Sequence, residues 1–323
     1  KKNTVNAEEV IWQKIIDKYQ SNISLEETPG GAIKIHSTHT NPDRSAEIAN
    51  TIMLEIINNS KDKAEITQTL HPNHATELTN KHIANGADII VACGGDGTIN
   101  EIANCLVGSN VKLGIVPMGS GNGLASTLKI PKSISEALKV IKILHSTKID
   151  VGEINKHYFF SNTGIGFDAN VIKNYSKTNK RELISYLKAS LITFFKDSPS
   201  LYLKITSESQ TLSLKPFMVF VSNTNEMGYD ISLTPKASIQ DGMLDAIVVE
   251  TLNKLEVICF AFLLLIRKPH IFKKAHYFLA QNIEIENLSS GGFLIQIDGE
   301  SKEIHSNTIN ITIKKRALNV MVP

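Results

Sequence analysis

The chain has 323 residues, 42% of them apolar and 20% charged, with a formal net charge of +2. Those proportions are ordinary for a globular protein and exert no strong pull toward nucleic acid, and the length suffices for two domains with separate cores. The most apolar run, residues 255–266, contains Glu256 and falls short of the ~20 residues that a spanning helix needs.

Residues 1–31 hold one amphipathic helix pattern, with Trp12 as the only tryptophan, and break at Pro29-Gly30-Gly31; they read as an N-terminal extension without legible chemistry. Residues 32–154 alternate between the two periodicities. Strands are predicted at 32–36, 64–70, 88–93 and 112–116, and helices at 46–57, 75–84, 98–106 and 133–144. Such alternation predicts a doubly wound parallel sheet, with ligands at the carboxyl ends of the strands. After about Ile154 the pattern changes to period two, with strands at 157–162, 201–205, 217–223, 245–249, 283–285, 293–298 and 308–314. Helices interrupt at 181–195 and 254–266. The expectation is a second, β-rich and sandwich-like domain over 155–306. A C-terminal segment, 307–323, is apolar enough at 318–322 to return to the first domain.

The most informative stretch follows the strand at 88–93: Gly94-Gly95-Asp96-Gly97-Thr98-Ile-Asn-Glu101. Glycines after a strand allow a sharp turn and bring backbone N–H groups close to phosphate, and the helix behind adds its positive end. Asp96 is costly in a pure phosphate cradle, so it points to a metal bridge or to proton chemistry. A second loop, Pro117-Met-Gly119-Ser120-Gly121-Asn122-Gly-Leu-Ala125, follows the next strand of the same sheet. The dinucleotide fingerprint is not met, because Leu124 stands at its third glycine; Gly-Lys-Ser/Thr is absent, which excludes a Walker A loop. Phosphates therefore fall to backbone N–H groups, Thr98, Ser120 and Asn122.

Other features read more simply. Cys93, Cys105 and Cys259 form no CxxC pair, and the apolar patterns around Cys93 and Cys105 predict buried thiols in a reducing compartment. No signal-peptide pattern is visible, and a cytoplasmic location is expected. His71 and His74 have ligand-like spacing but no third His or Cys to complete a zinc site. Lys173, Lys177, Lys180, Arg181 and Lys188 form one basic cluster, and Arg267, Lys268, Lys273 and Lys274 another; both read first as solvated faces. The stripe at 257–266 reads as a core helix, while Arg267 and Lys268 beside it keep an interfacial role in view.

The two glycine loops together resemble the diacylglycerol kinase catalytic-domain family, which includes bacterial lipid kinases and the sphingosine and ceramide kinases. Further motifs in the same order are His74-Ala-Thr-Glu-Leu78, Ile149-Asp150-Val-Gly152 and Gly164-Ile-Gly-Phe-Asp168. Pro235-x-Ala237-x-x-x-Asp241-Gly-Met243-Leu-Asp245 and Asp298-Gly-Glu300 follow them. The resemblance spans about residues 32–323. The family's nucleotide-contacting Asn-Pro-x-Ser-Gly turn has its nearest match at Asn41-Pro42-Asp43-Arg44-Ser45, without the final glycine; its phosphate-contacting arginine corresponds to Arg181, with Leu183 where glycine is usual.

The resemblance implies an α/β nucleotide-binding domain over 32–154, NAD-kinase- and phosphofructokinase-like, followed by the β-rich lipid-substrate domain. It further implies ATP with Mg²⁺, and a cleft between the domains that admits a lipid head group. Gly94, Gly95, Gly97 and Thr98, with Glu101, Gly119, Ser120, Gly121, Asn122, Asn41 and Arg181, would hold the nucleotide. Asp96, placed first, would take the acceptor proton or orient the acceptor hydroxyl; Glu300 would be the rival base or a ligand for the catalytic Mg²⁺, and Asp150 would serve substrate or metal. Asp241, Asp245 and a backbone carbonyl at Met243 would chelate a structural Mg²⁺. The partner is a lipid substrate at a membrane surface, reached peripherally; no nucleic acid is expected, and the sequence neither requires nor excludes a homodimer. Two rivals stay open: an NAD kinase, which shares the first loop, and a catalytically silent lipid-binding regulator.

Overall fold

The computed structural model describes residues 24–28, 32–36, 64–65, 67–119, 121–176, 188–190, 192–193, 201–225, 232–289 and 291–323. Asn41, Ser120, Arg181, Trp12, the expected helix at 46–57 and most of the one at 181–195 lie outside them. The chain forms two compact units. One holds the chain through Thr147 together with Leu318–Pro323; the other is Lys148–Ala317.

In the first unit the parallel core is the pair β4 (Ile89–Gly94) and β5 (Lys112–Pro117). β4 is wholly buried and β5 is buried after its first residue, as the continuous apolar runs of a sheet covered on both faces require. Their register sets Ile89 opposite Lys112 and Gly94 opposite Pro117, so both strands end at the same level. The following helix, α2 (Asp96–Leu106), packs on them through Ile99, Ile102, Ala103 and Leu106, an i, i+3, i+4, i+7 stripe. Helix α1 (His74–Ala84) packs on α2; a short α3 (Gly123–Thr127) follows the second glycine loop, and α4 (Ile134–Ile143) covers β5.

The last strand, β17 (Thr308–Met321), supplies the third parallel member, Asn319 opposite Lys112 and Val320 opposite Leu113. The return of the C-terminal segment to the first unit is thus as expected. The sheet is mixed, because β1 (Ser24–Thr28) runs antiparallel to β2 (Ala32–His36), to β3 (Ala64–Glu65) and to β4. β1 falls inside the expected extension. Its Ser-Leu-Glu-Glu-Thr carries a single apolar residue, so its composition does not announce a strand.

The second unit is a two-sheet sandwich, as predicted. Six antiparallel strands form one sheet in the order β13 (Ala275–Ala280), β12 (Leu244–Glu250), β11 (Pro216–Ser222), β8 (Asn162–Gly166), β15 (Phe293–Ile297) and β16 (Glu300–Ile304). Opposite lie β10 (Thr211–Leu214), β9 (Leu203–Ser207), β14 (Asn282–Asn287) and the start of β17, with β6 (Ser146–Ile154) and β7 (His157–Phe159) as a hairpin. Val219, Val221 and Ile295 from one sheet meet Ile205, Ile285 and Ile311 from the other in a single core.

Period-two alternation turns Met218 and Phe220 of β11 to the opposite face, where Phe260 of α6 (Lys254–Leu265) covers them. The core-helix reading of 257–266 needs correction: Phe260 is the buried residue of α6, while Leu255, Ile258, Phe262 and Leu265 are exposed. One helix can offer only one face to a sheet, and α6 is apolar on both. Helix α5 (Phe167–Tyr175) packs on β8, β15 and β16. The thiol expectation also divides: Cys93 is buried, Cys105 half-buried and Cys259 exposed.

Candidate active site

Because β4 and β5 end level, the two glycine loops lie side by side. Gly95 is the extended cap of α2, and Asp96 is already its first helical residue, two positions before the predicted start. The Asp96 carboxylate spans the loops: Asn122 N–H donates to Oδ2 and Gly123 N–H to Oδ1, each at 2.9 Å. A β-carbon on Gly119 would come within 2.7 Å of the Gly95 Cα, and one on Gly121 within 2.8 Å of Asp96 Oδ2. These glycines are needed for the loops to close on one another as well as for any ligand to approach.

Both oxygens of the Asp96 carboxylate accept from backbone donors of the second loop, so Asp96 has a structural task in holding the loops together. Asn122 is likewise committed. It is buried in a left-handed conformation, its Oδ1 accepts the Gly119 N–H at 2.9 Å, and its own N–H is held by Asp96. Glu101, expected near the nucleotide, accepts the Asn73 N–H at 3.0 Å through Oε1 and ties the start of α1 to α2. The first turn of α2, Asp96 to Thr98, is half-buried, and Ile99 N–H, bonded to the Gly95 carbonyl, is the first of its amides to find an intrahelical partner. That is a ready anion seat with the helix dipole behind it.

In the second unit Asp150 is buried and satisfied. Gly242 N–H donates to Oδ2 and Arg316 N–H to Oδ1, both at 2.7 Å. Its carboxylate holds the loop that carries Asp241 through the Gly242 N–H. Asp241 is exposed and accepts the Met243 N–H at 3.0 Å. Asp245 is fully buried; Tyr277 donates its hydroxyl to Oδ1, and Oδ2 has no hydrogen-bond partner. Desolvation, then the nearby Asp241 charge, push its carboxyl up to about 7, with Lys236 opposing. Two carboxylates repelling across an orphaned buried oxygen suit a hard divalent cation, so the donor set fits Mg²⁺.

Asp298-Gly299 forms the two-residue turn between β15 and β16, with φ of 46° and 83° and Ile297 opposite Glu300. An Asp-Gly pair is a strong signal for such a turn. The Asp298 carboxylate accepts N–H groups from Phe160 and Ser161 at 2.8 Å and from Asn162 at 3.0 Å, which splits the expected strand 157–162 into β7 and β8. Glu300, one residue past the turn, is exposed, and its carboxylate accepts no hydrogen bond among the described residues.

Sequence reasoning missed Gln296. It is buried, its Oε1 accepts the Gly299 N–H at 2.9 Å, and its Nε2 donates to Asn162 at 2.7 Å. Asp168 is buried as well: desolvation pushes its carboxyl up to about 6, with Gln296 opposing, and its Oδ2 lacks a partner. No local signal marks a glutamine for this role. His71, His74 and Glu77 do come together, but the two rings stack at 4.6 Å and 15°, so their lone pairs lie in separate, nearly parallel planes and do not converge on one ion.

Comparison with known proteins agrees with the motifs. Residues 40–154 match the description "Diacylglycerol kinase catalytic domain" and residues 161–301 "YegS C-terminal NAD kinase beta sandwich-like domain". A Staphylococcus aureus diacylglycerol kinase is 31% identical over 243 residues, covering 73% of this chain and 75% of that protein. The Staphylococcus haemolyticus diacylglycerol kinase is also 31% identical, over 73% of this chain and 71% of its own. A solved Bacillus anthracis diacylglycerol kinase structure superposes with a TM-score of 0.62 at 24% identity, covering 81% and 85% of the two chains. Another structure from that organism reaches 0.66 at 26% identity, over 81% and 86%.

Proposed function

This chain belongs to the diacylglycerol kinase catalytic-domain family, and on that premise we propose that it is an ATP-dependent lipid kinase. Its acceptor is a lipid hydroxyl of the diacylglycerol class, the class in its relatives' names. The observation that carries the reading is the pair of level glycine loops clasped by Asp96, with the α2 amides before Ile99 N–H ahead of the first intrahelical bond. Phosphoryl transfer asks chiefly for such positioning and for charge neutralisation.

The hydroxyl oxygen of the acceptor attacks the γ-phosphorus. The bond to the β–γ bridging oxygen breaks, ADP leaves, and the hydroxyl proton passes to a carboxylate. We assign that carboxylate to Glu300, which is exposed and not committed to a backbone donor, and give Asp96 the task of holding the loops. Gly94, Gly95, Gly97 and Thr98 line the phosphate seat; Thr98 lies against Gly94, where a β-carbon would come within 2.8 Å. Asp241, Asp245 and the Met243 carbonyl would hold Mg²⁺, which would neutralise the two carboxylates and firm their loop. Asp150 presents that loop through Gly242. Transfer of radiolabel from ATP to a panel of diacylglycerol, phosphatidylglycerol and long-chain bases tests the reading. Label in diacylglycerol is expected; label in NAD and in none of the lipids would replace it with the NAD-kinase alternative.

A further inference from the structure

The outward face of α6 is apolar, exposed and bordered by cations, and we propose that it is the surface by which this protein docks on an anionic lipid bilayer. Phe260 and Leu264 pack α6 against the sheet. The other side carries Leu255, Ile258, Phe262 and Leu265, which are 75%, 64%, 61% and 75% exposed, and the stripe continues into Ile266 and Ile271. The spacing i, i+3, i+7, i+10 places the first four on one line of the helix. Single exposed apolar residues are ordinary, but a contiguous stripe of this size is not.

Charge selects the occupant. Lys254 at the start of the helix, Arg267 and Lys268 just past its end, and Lys273 are all exposed. Glu256, the one acid in α6, is turned to its own cap and to Lys274: the Asn253 N–H donates to it at 2.8 Å, and the Lys274 Nζ lies at 2.7 Å. The face therefore presents hydrocarbon and positive charge without a carboxylate, as an in-plane interfacial helix does on anionic headgroups. A second copy fits poorly, since a two-fold interface would set the same cations against one another. No described helix is long and apolar enough to cross a membrane, and α6 has one side held to the sheet. The choice of a bilayer rests on the lipid-kinase reading of the acceptor.

The test is cosedimentation with phosphatidylcholine vesicles with and without phosphatidylglycerol, in the absence of ATP. The wild-type chain should bind the anionic vesicles and be released by salt. The triple variant Leu255→Ser, Phe262→Ser, Leu265→Ser changes only exposed side chains and should weaken partitioning by roughly tenfold or more at an unchanged melting temperature. Phe262→Trp, made together with Trp12→Phe so that it is the sole tryptophan, should give a blue-shifted emission when vesicles are added. Equal binding by the triple variant, or an emission from vesicle-bound Phe262→Trp that does not move, overturns the proposal. So does a wild-type dimer that the triple variant converts to monomer while neither binds vesicles, which would make the face an interface between copies. The two readings fail separately. Vesicle binding that depends on the stripe, with no phosphate transfer to any lipid, sinks the kinase reading and leaves the docking surface. Transfer to vesicle-borne acceptor that the triple variant does not slow, with equal binding, sinks the docking surface and leaves the kinase.

Discussion

Asp96 and Glu300 are both carboxylates beside tight turns, and their surroundings divide the work between them. Asp96 has two backbone donors at 2.9 Å and Glu300 is exposed. Asp96→Asn keeps one acceptor and loses the other, so it should loosen the second loop, raise the KM for ATP and lower the melting temperature by several degrees. Glu300→Gln should leave the melting temperature in place and lower kcat by on the order of a hundredfold or more. A normal kcat in Glu300→Gln alongside an inactive, fully stable Asp96→Asn would return the base to Asp96. Asp168 gives a pH dependence. Below pH 3.8 its carboxyl is protonated in both states; as pH rises to about 6 only the unfolded form releases its proton, so stability falls across that window. The loss is about 3 kcal/mol at most. Urea unfolding of Asp168→Asn should therefore gain on wild type as pH rises through the window, and parallel curves would show that the carboxyl carries no such cost. Of this scale the sequence revealed which residues matter but not what they touch. Asp96 could be singled out as anomalous among glycines, but its partners lie 26 and 27 residues away, and those of Asp298 136 to 138.

Helices and strands were legible wherever one face is buried, because burial is what imposes the period. α2 announces itself through Ile99, Ile102, Ala103 and Leu106, and Ile102, fully buried, tests its packing. Ile102→Ala should cost about 2–5 kcal/mol in chemical denaturation; a cost below about 1 kcal/mol would mean that the site collapses around the change. The metal loop is an element of a different kind, ordered by carboxylates rather than by hydrophobic burial. Asp241→Ala should blunt the rise of melting temperature with Mg²⁺, and an unchanged Mg²⁺ response would leave the loop as a plain turn. α6 was misread for a physical reason. Its stripe is apolar on both faces, and periodicity alone does not say which side a sheet covers. Its start was clearer: the Asn253–Glu256 capping box is formed, with the Glu256 N–H donating to Asn253 at 3.0 Å.

At the scale of the whole molecule, β17 ties the C-terminus into both units: Asn310 pairs with Glu284 in the second, and Val320 with Leu113 in the first. Leu318, Val320 and Met321 are fully buried. Ending the chain after Ala317 should strip β5 of one of its two parallel neighbours at about 2 kcal/mol for each buried side chain lost, and hydrogen exchange should rise in β4 and β5 while β11 and β12 keep their protection. Equal protection in β5 would show that the first unit holds without the returning strand. The sequence by itself determined the family, the two-unit α/β-then-sandwich order, the glycine loops and the Asp-Gly turn, since each is written in neighbouring residues: periodicity, glycine placement and short motifs. Only the tertiary structure decided which carboxylates accept from backbone donors, that Gln296 braces the turn before Glu300 through the Gly299 N–H, and that α6 shows its second apolar face to solvent. Those outcomes depend on what lies opposite a side chain once distant segments meet, and a linear pattern carries no record of what lies opposite.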